Sequence, residues 1–379
     1  MVIPCLNEAD TLAACVRKAL QALDDLRIKG EVIVADNGSS DGSPDIARGC
    51  SVRVVVAEER GYGSALMSGI AAARGRYVVM GDADGSYDFR ELGRFVERLR
   101  EGHELVQGCR LPAGGGHVEQ GAMPLLHRWV GNPLFSGLAR WWFRVSIHDV
   151  YCGMRGFSKA LYDRLDLRCT GMEFATEMII KARMRGARTA EVPITLHPDG
   201  RRAHAPHLKT FRDGWRTIRL YLLYSPRWLF LVPGLGLVAA GLFGYALAMP
   251  GLAVRGVRFD AHTLLVASLA LICGYQAILF GLFTKTLAIG ERLLPMDEGM
   301  RQFFQLFTLE KGLLAGVGSF LLGIALVGWV AFEWWLSGLG RLDYGRTMRI
   351  VVPGVTAAVL GFQTVLSSFF VSILGMRRT

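Results

Sequence analysis

The sequence lacks the closely spaced cysteines of a disulfide framework or a structural zinc site. Its seven cysteines are scattered, and none forms a CxxC pair. Isolated thiols of this kind are typical of a reducing compartment. We therefore expect reduced, cytosolic cysteines.

Signatures of nucleic-acid binding are also missing, although the formal net charge is +10 at pH 7. No zinc-finger pattern, RNA-binding motif or basic repeat accompanies this charge. The GK[ST] phosphate loop and the GxGxxG motif are absent too, which disfavours a P-loop enzyme and a Rossmann dehydrogenase. The positive charge better suits an anionic lipid surface or an anionic substrate, and we expect no nucleic-acid partner.

Charged residues are absent from four long apolar stretches in the C-terminal part of the chain: 229–249, 263–283, 312–332 and 350–374. About 20 helical residues span a hydrocarbon core about 30 Å thick, so we predict an all-α membrane domain of four spans over 226–379. A large soluble apolar core is the alternative. Gln276 and Gln363 are the main polar groups inside the spans, and no charge marks a transport path. We predict an anchor, or a platform for a homo-oligomer.

Basic residues precede the first stretch and close the chain. They are Arg201, Arg202, Lys209, Arg212, Arg216, Arg219 and Arg227, with Arg377 and Arg378 at the C-terminus. Because cytoplasmic flanks of membrane spans are enriched in Lys and Arg, both ends are predicted to be cytoplasmic. This places an integral protein in the inner (cytoplasmic) membrane, with its first domain in the cytoplasm.

A basic amphipathic helix is predicted over 208–225. Leu208, Phe211, Trp215, Ile218 and Leu222 recur at spacings of three and four residues, with basic residues one position behind them. Such a helix lies in the headgroup plane of a bilayer, although an ordinary helix packed on the domain is the alternative. The segment 139–143, with Trp141 and Trp142, is a second candidate for interfacial contact.

The first part of the chain has the alternating pattern of an α/β sheet. Strand-like runs at 2–3, 32–35, 52–56, 77–80 and 105–107 are separated by helix-like runs. Ser43, followed by Pro44, is a predicted helix N-cap. The first run is too short before Pro4 for a strand buried on both faces, so we expect the natural start upstream or a frayed end.

Four chemically distinctive loops follow the first four strand-like runs. They read PCLNEAD, DNGSSDGS, EERGYGSA and GDADGSYD. Ligands of open α/β sheets bind at the carboxyl ends of the strands, so these loops are expected to converge on one crevice.

The loop chemistry suggests a nucleotide and a divalent cation. Asp82 and Asp84, at positions i and i+2, can approach one Mg²⁺ or Mn²⁺, and a solvated turn is the alternative. Asp36 can accept a hydrogen bond from a base or ribose, or can act as a turn residue. Gly61 and Gly63 allow a close approach of backbone to a ligand. Asp88 is predicted to cap the helix that starts near Phe89.

In this order and spacing, VIPCLNEADTL, VADNGSSDGS, RGYGSALMSGIAAARG and YVVMGDADGSYD resemble the family 2 glycosyltransferases of GT-A fold. The resemblance is to polyprenyl-phosphate sugar synthases, such as dolichol-phosphate mannose synthase and bacterial dolichol-phosphate glucose synthetase-like proteins. It covers about residues 1–228. It implies a Rossmann-like mixed sheet in a GT-A nucleotide-sugar transferase domain, which we assign to 1–207.

The resemblance also implies site residues. Those expected to bind the donor are Pro4, Leu6, Glu8, Asp36, Asn37, Asp82, Ala83 and Asp84. The metal, Mg²⁺ or Mn²⁺, is expected at Asp82, Asp84 and Ser86. Ser86 stands where mannose synthases often carry Gln, and Glu173 where a relative has a basic residue near the donor, so GDP-mannose is not assumed.

Downstream motifs resemble the acceptor half of these synthases. They are GCR at 108–110, LLHR ending at 128, DVYCGMRGF from 149, GMEFATEMII from 171 and EVPITLHPDGRR from 191. The arginines implied at the acceptor phosphate are Arg110, Arg128, Arg201 and Arg202, and those with a catalytic role are Arg110 and Arg128, beside Asp84. A guanidinium fork suits a phosphate, although each arginine could be a surface charge, the favoured interpretation for Arg155.

The predicted reaction is inverting transfer of a hexose from a nucleotide-diphosphate sugar, of UDP-glucose or GDP-mannose type, to a polyprenyl phosphate. The acceptor phosphate is already largely ionised, so Glu177 is not required as a base. A processive polysaccharide synthase is an alternative, but its Gln-x-x-Arg-Trp motif is absent: Leu125 stands where Gln would precede Arg128. An inactive transferase-like membrane scaffold is a second alternative.

Three histidines, His197, His204 and His207, lie in a loop interrupted by Pro and Gly. No cysteine is near, so histidines of a flexible loop are favoured over a zinc site, and a mobile loop that closes over substrate is a second interpretation.

Overall fold

The computed structural model describes residues 1–201, 210–254, 257–291, 293–294 and 296–376. Arg202, His204, His207, Arg377 and Arg378 lie outside the described residues. The chain divides into two compact units, Met1–Tyr221 and Leu222–Thr379.

The first unit is built on a seven-stranded mixed sheet with the strand order β3-β2-β1-β4-β7-β5-β8. The strands of this unit are β1 (Val2–Cys5), β2 (Ile33–Asp36), β3 (Arg53–Val56), β4 (Tyr77–Met80), β5 (Leu105–Cys109), β6 (His117–Val118), β7 (Arg155–Ser158), β8 (Thr189–Pro193) and β9 (Thr195–Leu196). Strand β7 runs antiparallel to both of its neighbours, whereas the other pairs in the sheet are parallel. The short strands β6 and β9 form a separate parallel pair.

Helices cover this sheet because their apolar residues recur on one face. In α1, the residues at positions 12, 15, 16, 19 and 23 are buried, which is the 3.6-residue period of an amphipathic helix. The helices are α1 (Leu12–Asp25), α2 (Ser43–Gly49), α3 (Tyr62–Ala72), α4 (Leu92–Arg100), α5 (Asn132–Phe143), α6 (Lys159–Leu165), α7 (Phe174–Met184) and α8 (Thr210–Tyr224). The described part of the predicted interfacial segment is therefore helical.

Strand β1 is longer than its apolar run suggested. It extends through Pro4 to Cys5, and all four of its residues are buried. Proline lacks an N–H for the ladder. The strand pairs with β4 at Val2 and Met80, whereas its pairing with β2 continues to Cys5 and Asp36. The strand-like run predicted at 2–3 is therefore two residues too short at its C-terminal end.

Strand β7 was not predicted, and it corrects the interpretation of Arg155. This residue begins β7 and is fully buried, so it is not a surface charge. Its guanidinium donates to the carbonyl oxygens of Cys152 (2.7 Å) and Ala175 (2.5 Å). A four-residue strand that starts with a cation and pairs with partners far away in sequence carries no local apolar signal.

The second unit contains the four expected apolar helices. Its elements are α9 (Val232–Ala248), β10 (Ala253–Val254), β11 (Val257–Arg258), α10 (Ala261–Gly290), α11 (Glu298–Leu306), α12 (Leu309–Leu336) and α13 (Tyr344–Met376). The helical segments long and apolar enough to cross a membrane are Arg227–Ala248, Ala261–Gly290, Leu309–Leu336 and Tyr344–Gly375. Each segment is longer than its predicted stretch, because the helix continues into polar residues that flank the apolar run.

Glycine allows two of these helices to pack closely. A Cβ added to Gly323 of α12 would clash with the backbone of α13 at Gly354 and Ala358. Small residues at such crossings are typical of membrane helices. Hydroxyl groups add a polar layer that was not predicted: Tyr245 bonds Ser268 (2.6 Å) and Tyr275 bonds Thr364 (2.6 Å). Gln276 and Gln363 are therefore not the main internal polar groups.

Candidate active site

The loops after β1 and β2 are joined by side-chain hydrogen bonds. Asn7, with a φ of 57°, accepts a hydrogen bond from the Ser40 N–H (2.8 Å). The Glu8 N–H donates to Ser43 Oγ (3.0 Å). Helix α2 begins at Ser43 itself, so this hydroxyl links two loops and does not act as the predicted N-cap.

The remaining loops continue this chain of contacts. Asn37 Oδ1 accepts a hydrogen bond from the Gly61 N–H (2.9 Å), which joins the second loop to the third. The Tyr62 hydroxyl donates to Asp82 Oδ1 (2.9 Å), which joins the third loop to the fourth. The predicted convergence of the four loops is confirmed, because hydrogen bonds connect each of them to the next.

Gly61 and Gly63 have a different role from the predicted one. Gly61 has a φ of 152°, and a Cβ there would clash with the carbonyl group of Thr170. A Cβ on Gly63 would clash with the carbonyl oxygen of Cys169. The close approach that these glycines allow is therefore to the protein's own backbone before α7, and the expected approach to a ligand is not what requires glycine here.

Asp82 lies in a confined, charged environment at the end of β4. Its Oδ1 accepts the Tyr62 hydrogen bond, and a Cβ on Gly153 would lie 2.5 Å from its Oδ2. Burial, followed by the nearby charge of Asp84, raises the pKa of the Asp82 carboxyl to about 6. A carboxylate in this position gains stability from a cation that offsets the charge.

Asp84 is fixed by its own loop. Its Oδ1 accepts hydrogen bonds from the N–H (2.9 Å) and the hydroxyl (2.6 Å) of Ser86. Its Oδ2 lies 3.3 Å from Nη2 of Arg201. Ser86, predicted as a metal contact, is thus a partner of the neighbouring carboxylate.

The pair of carboxylates fits a hard divalent cation. Mg²⁺ is commonly held by one or two carboxylates together with substrate phosphates and water. Within the described part of the chain, no three His, Cys, Asp or Glu side chains are grouped to hold a metal by themselves. Oxygen ligands from Asp82 and Asp84 therefore suit an ion that takes its other ligands from a phosphorylated substrate.

Other residues expected at the donor have structural partners as well. Asp36, at the end of β2, is buried and accepts hydrogen bonds from the N–H groups of Gly38 (3.1 Å) and Ser39 (3.3 Å). Its carboxylate therefore shapes the loop, as in the turn interpretation. Pro4 and Ala83 are buried, whereas Leu6 is half-buried.

Arg201 lies beside two of the carboxylates expected at the donor, Glu8 and Asp84. It forms a two-pronged contact with Glu8, with distances of 2.9 Å from Nε and 2.7 Å from Nη2 to Oε1. The structure therefore brings Arg201 to Glu8 and Asp84.

His197, the first residue after β9 (Thr195–Leu196), pairs with Glu119 (2.9 Å).

Comparison with known proteins agrees with this geometry. Residues 1–166 match the model "Glycosyl transferase family 2", and residues 282–375 match "Glycosyltransferase family 2 C-terminal transmembrane region". The low-salt glycan biosynthesis hexosyltransferase Agl6 of Haloferax volcanii is 37% identical over 376 residues, covering 99% of this chain and 88% of the relative. The chain belongs to glycosyltransferase family 2.

One further relative and one solved structure match smaller parts of this family 2 glycosyltransferase. A dolichyl-phosphate hexose transferase of Haloferax volcanii is 34% identical over 187 residues, covering 49% of this chain and 77% of the relative. A crystal structure of glucosyl-3-phosphoglycerate synthase from Mycobacterium tuberculosis, with Mn²⁺, uridine diphosphate and glucosyl-3-phosphoglycerate, is 23% identical. It matches with a TM-score of 0.45 over 59% of this chain and 76% of that one.

The family 2 glycosyltransferase is also an integral membrane protein, since it carries the family's transmembrane region and four long apolar helices. Its seven cysteines are free thiols in this structure.

Arg110 of the glycosyltransferase forms a buried ion pair. Nε and Nη2 lie 2.7 and 2.9 Å from the two carboxylate oxygens of Asp149, which is fully buried. The Arg110 N–H donates to the same carboxylate (3.0 Å). Two of the three guanidinium nitrogens are thus used within the fold. Asp149 begins the DVYCGMRGF motif, but sequence reasoning missed its pairing because 39 positions separate the partners.

Arg128 lies in a helical turn (His127–Gly131) that precedes α5, with its guanidinium 5.3 Å from the ring centre of Trp129. Exposed aromatic residues occur here and on α8: Trp129 (65% exposed), Phe211 (87%) and Trp215 (61%). The buried residues of α8 are Asp213, Thr217, Leu220 and Tyr221. Large exposed aromatic side chains such as Trp129, Phe211 and Trp215 are typical of a surface that contacts a membrane interface.

Glu177 is held by contacts inside the fold. It is fully buried and pairs with Lys181 (2.8 Å), and it accepts hydrogen bonds from the N–H groups of Arg168 (3.0 Å) and Cys169 (2.8 Å). Its neighbour Glu173 lies 3.6 Å from Arg216 of α8. These contacts fix the segment that packs against Gly61.

Proposed function

We propose that this glycosyltransferase transfers a hexose from a nucleoside-diphosphate sugar to a polyprenyl phosphate. The observation that carries the proposal is the meeting of Asp82, Asp84 and Glu8 with the loop of Asp36 at one end of the sheet. Four loops at the carboxyl ends of strands form the usual nucleotide crevice of an α/β sheet. Two adjacent carboxylates add the ligands for a phosphate-bound cation.

The lipid acceptor is supported by the membrane helices and by the exposed aromatic residues of the first unit. Trp129, Phe211 and Trp215 present large apolar side chains where a soluble domain would carry polar ones. Basic residues beside aromatic ones favour an anionic headgroup region. The dolichyl-phosphate hexose transferase among the relatives is consistent with a polyprenyl phosphate as the acceptor.

We assign the donor side to Glu8, Asp36, Asn37, Asp82 and Asp84. A bound Mg²⁺ or Mn²⁺ would neutralise charge on the departing diphosphate. Asp82 and Asp84 would hold this ion, while Tyr62 and Ser86 keep the two carboxylates in position.

The transfer itself is a direct displacement. An oxygen of the acceptor phosphate attacks the anomeric carbon, a new C–O bond forms, and the bond to the diphosphate breaks with inversion. The attacking phosphate is already largely ionised near neutral pH, so no protein base has to remove a proton. The protein contributes positioning and charge, for which Arg128 is the proposed acceptor-phosphate residue, together with the Arg110 nitrogen that faces away from Asp149.

The catalytic unit and both termini are proposed to be cytoplasmic, in an inner (cytoplasmic) membrane. Basic residues before the first span support this orientation. Cysteine labelling of intact cells with a membrane-impermeant reagent tests it, with cysteines introduced at Ser337 and at Thr379. Labelling at position 337 and protection at position 379 are expected, and the reverse would overturn the assignment.

The direct test of function uses membranes that contain the full-length protein. They are incubated with polyprenyl phosphate, Mg²⁺ or Mn²⁺ and a panel of UDP- and GDP-sugars, and the lipid-linked product is followed. A product with at least one donor is expected, and it should disappear when the polyprenyl phosphate is omitted. Failure of every donor with acceptor present would contradict the proposal.

A further inference from the structure

Arg201 occupies a position that acceptor binding does not explain. Its Nη2 lies 2.7 Å from Glu8 Oε1 and 3.3 Å from Asp84 Oδ2, so one nitrogen bridges two carboxylates. The three side chains are largely shielded from water, with exposed fractions of 12% for Arg201, 5% for Glu8 and 13% for Asp84. This guanidinium therefore offsets negative charge at the proposed metal site.

The two oxygens of Asp84 have different partners. Oδ1 is held by the N–H and hydroxyl of Ser86, within the same loop. Oδ2 is directed at Arg201. A divalent ion bound through Oδ2 would stand next to the guanidinium, and two cations at that separation repel each other strongly in a partly buried site.

Glu8 can hold the Arg201 side chain when Asp84 binds a metal ion. Nε lies 2.9 and 3.0 Å from the two Glu8 oxygens, so this contact persists if Nη2 leaves Asp84. The backbone nearby is also fixed, since the Gly200 N–H donates to the Asp84 carbonyl oxygen (2.8 Å). A small side-chain movement is sufficient to free Asp84 Oδ2.

We infer that Arg201 is a positioning residue of the metal site: it is a resident counter-cation that balances Asp84 and competes with the divalent ion for its Oδ2. The inference rests on the proposed function for the identity of the metal. If Arg201 competes with the metal, removing its charge should tighten metal binding. If Arg201 only made a structural contact, removing it would not tighten metal binding.

The test is a titration of the detergent-solubilised full-length protein with Mn²⁺ alone, without sugar donor or lipid acceptor. Bound ion is measured from the loss of the free Mn²⁺ paramagnetic resonance signal. In Arg201→Met, the dissociation constant is expected to fall about fivefold, the factor equivalent to a partly exposed ion pair. In Arg201→Lys, which keeps the charge but not the fork, it should equal the wild-type value or lie between the two.

Two control variants complete the design. Arg90→Met removes the same charge from an arginine that pairs with Asp88 (2.6 Å) outside the metal site, and it should leave Mn²⁺ binding unchanged. Asp84→Asn should abolish the specific binding. Thermal unfolding with and without Mn²⁺ reports whether each variant is folded, since a bound ion raises the unfolding temperature.

Unchanged or weaker Mn²⁺ binding in Arg201→Met would overturn the inference, as would a wild-type protein that binds no Mn²⁺. If Arg201→Met does not fold, the Mn²⁺ affinity of Arg201→Lys tests the inference. Weaker Mn²⁺ binding in Arg201→Lys than in the wild type would contradict it. Because no donor or acceptor is present, the inference can fail while lipid-linked product is still formed. The two failures are therefore distinguishable.

Discussion

The proposed donor side and the proposed acceptor side of the first unit hold their charged groups in different ways. Asp82 and Asp84 receive hydrogen bonds from the hydroxyls of Tyr62 and Ser86. Arg110 is instead closed into a two-pronged ion pair with Asp149, from which water is excluded. A mutual buried pair contributes to the fold, because neither charge can be removed alone without a large cost. Asp82 is held by a neutral hydroxyl, and Asp84 shares the single cation Arg201 with Glu8, so negative charge remains for a ligand.

The largest effect on activity is expected for Asp84→Ala. Loss of a carboxylate that holds charge at the reacting diphosphate should reduce transfer by about 10³-fold or more. The fold should be retained, because no buried cation loses its sole partner: Arg201 still pairs with Glu8. Product formation from lipid acceptor and donor measures the first effect, and thermal unfolding the second. Wild-type turnover in this variant would remove the metal-binding role.

The largest effect on stability is expected for Asp149→Ala. This change leaves the Arg110 guanidinium buried without its partner and should destabilise the first unit by about 3–5 kcal/mol. Thermal unfolding in detergent measures the change. The matched control is Arg110→Met combined with Asp149→Leu, which should recover much of the stability by replacing the pair with apolar groups. If Asp149→Ala alone were as stable as the wild type, the buried ion pair would not stabilise the fold, and the contrast between the two sides would fail.

Arg128→Ala tests the acceptor side more directly. One charge-assisted hydrogen bond is worth about 1.5–3 kcal/mol, so the KM for polyprenyl phosphate should rise at least about tenfold. Donor binding should be unaffected. Arg140→Ala, at an exposed position of α5, is the control and should leave the KM for the lipid within about twofold. An equal rise in both variants would indicate a general effect of surface charge.

Tyr62→Phe should have a smaller effect, confined to the metal. The hydroxyl fixes the direction of the Asp82 carboxylate, and loss of such an outer contact typically weakens a metal site about tenfold. Direct Mn²⁺ titration should show this weakening while thermal stability changes little. The same substitution at Tyr162 of α6, whose ring stacks on Phe157 of β7, should not alter Mn²⁺ binding. Equal Mn²⁺ affinity in wild type and Tyr62→Phe would contradict the positioning role.

The smallest effect is expected for Asp88→Ala. Asp88 caps the short turn Phe89–Glu91, accepting a hydrogen bond from the Arg90 N–H (3.1 Å), as predicted from the sequence. Loss of a cap costs about 1 kcal/mol of stability. Transfer activity should stay within about twofold of wild type at a temperature where the protein is folded. A strong loss of activity would extend the catalytic carboxylates beyond Asp84.

Much of the fold was accessible from local pattern. Parallel strands that are buried on both faces appear as short apolar runs, and the loops after them carry the polar residues, so β1 to β5 and their convergence were predicted. Strand β7 was not, since its four residues begin with Arg155, and its pairing depends on strands distant in sequence. The membrane helices were predicted most directly, because hydrocarbon requires a long charge-free segment.

In the candidate site, too, local sequence predicted some features and missed those that depend on residues distant in sequence. The sequence predicted Asp82 and Asp84 as cation ligands, because two carboxylates at positions i and i+2 after a strand can approach one divalent ion and because the motifs around them resemble family 2 glycosyltransferases. The partners of these residues are another matter: Tyr62 reaches Asp82 across 20 positions, Arg110 meets Asp149 across 39, and Arg201 reaches Glu8 across 193. The sequence by itself determined which groups are available for the proposed chemistry, and the tertiary structure decided which charges neutralise one another, because a side chain's electrostatic partner is set by distance in space.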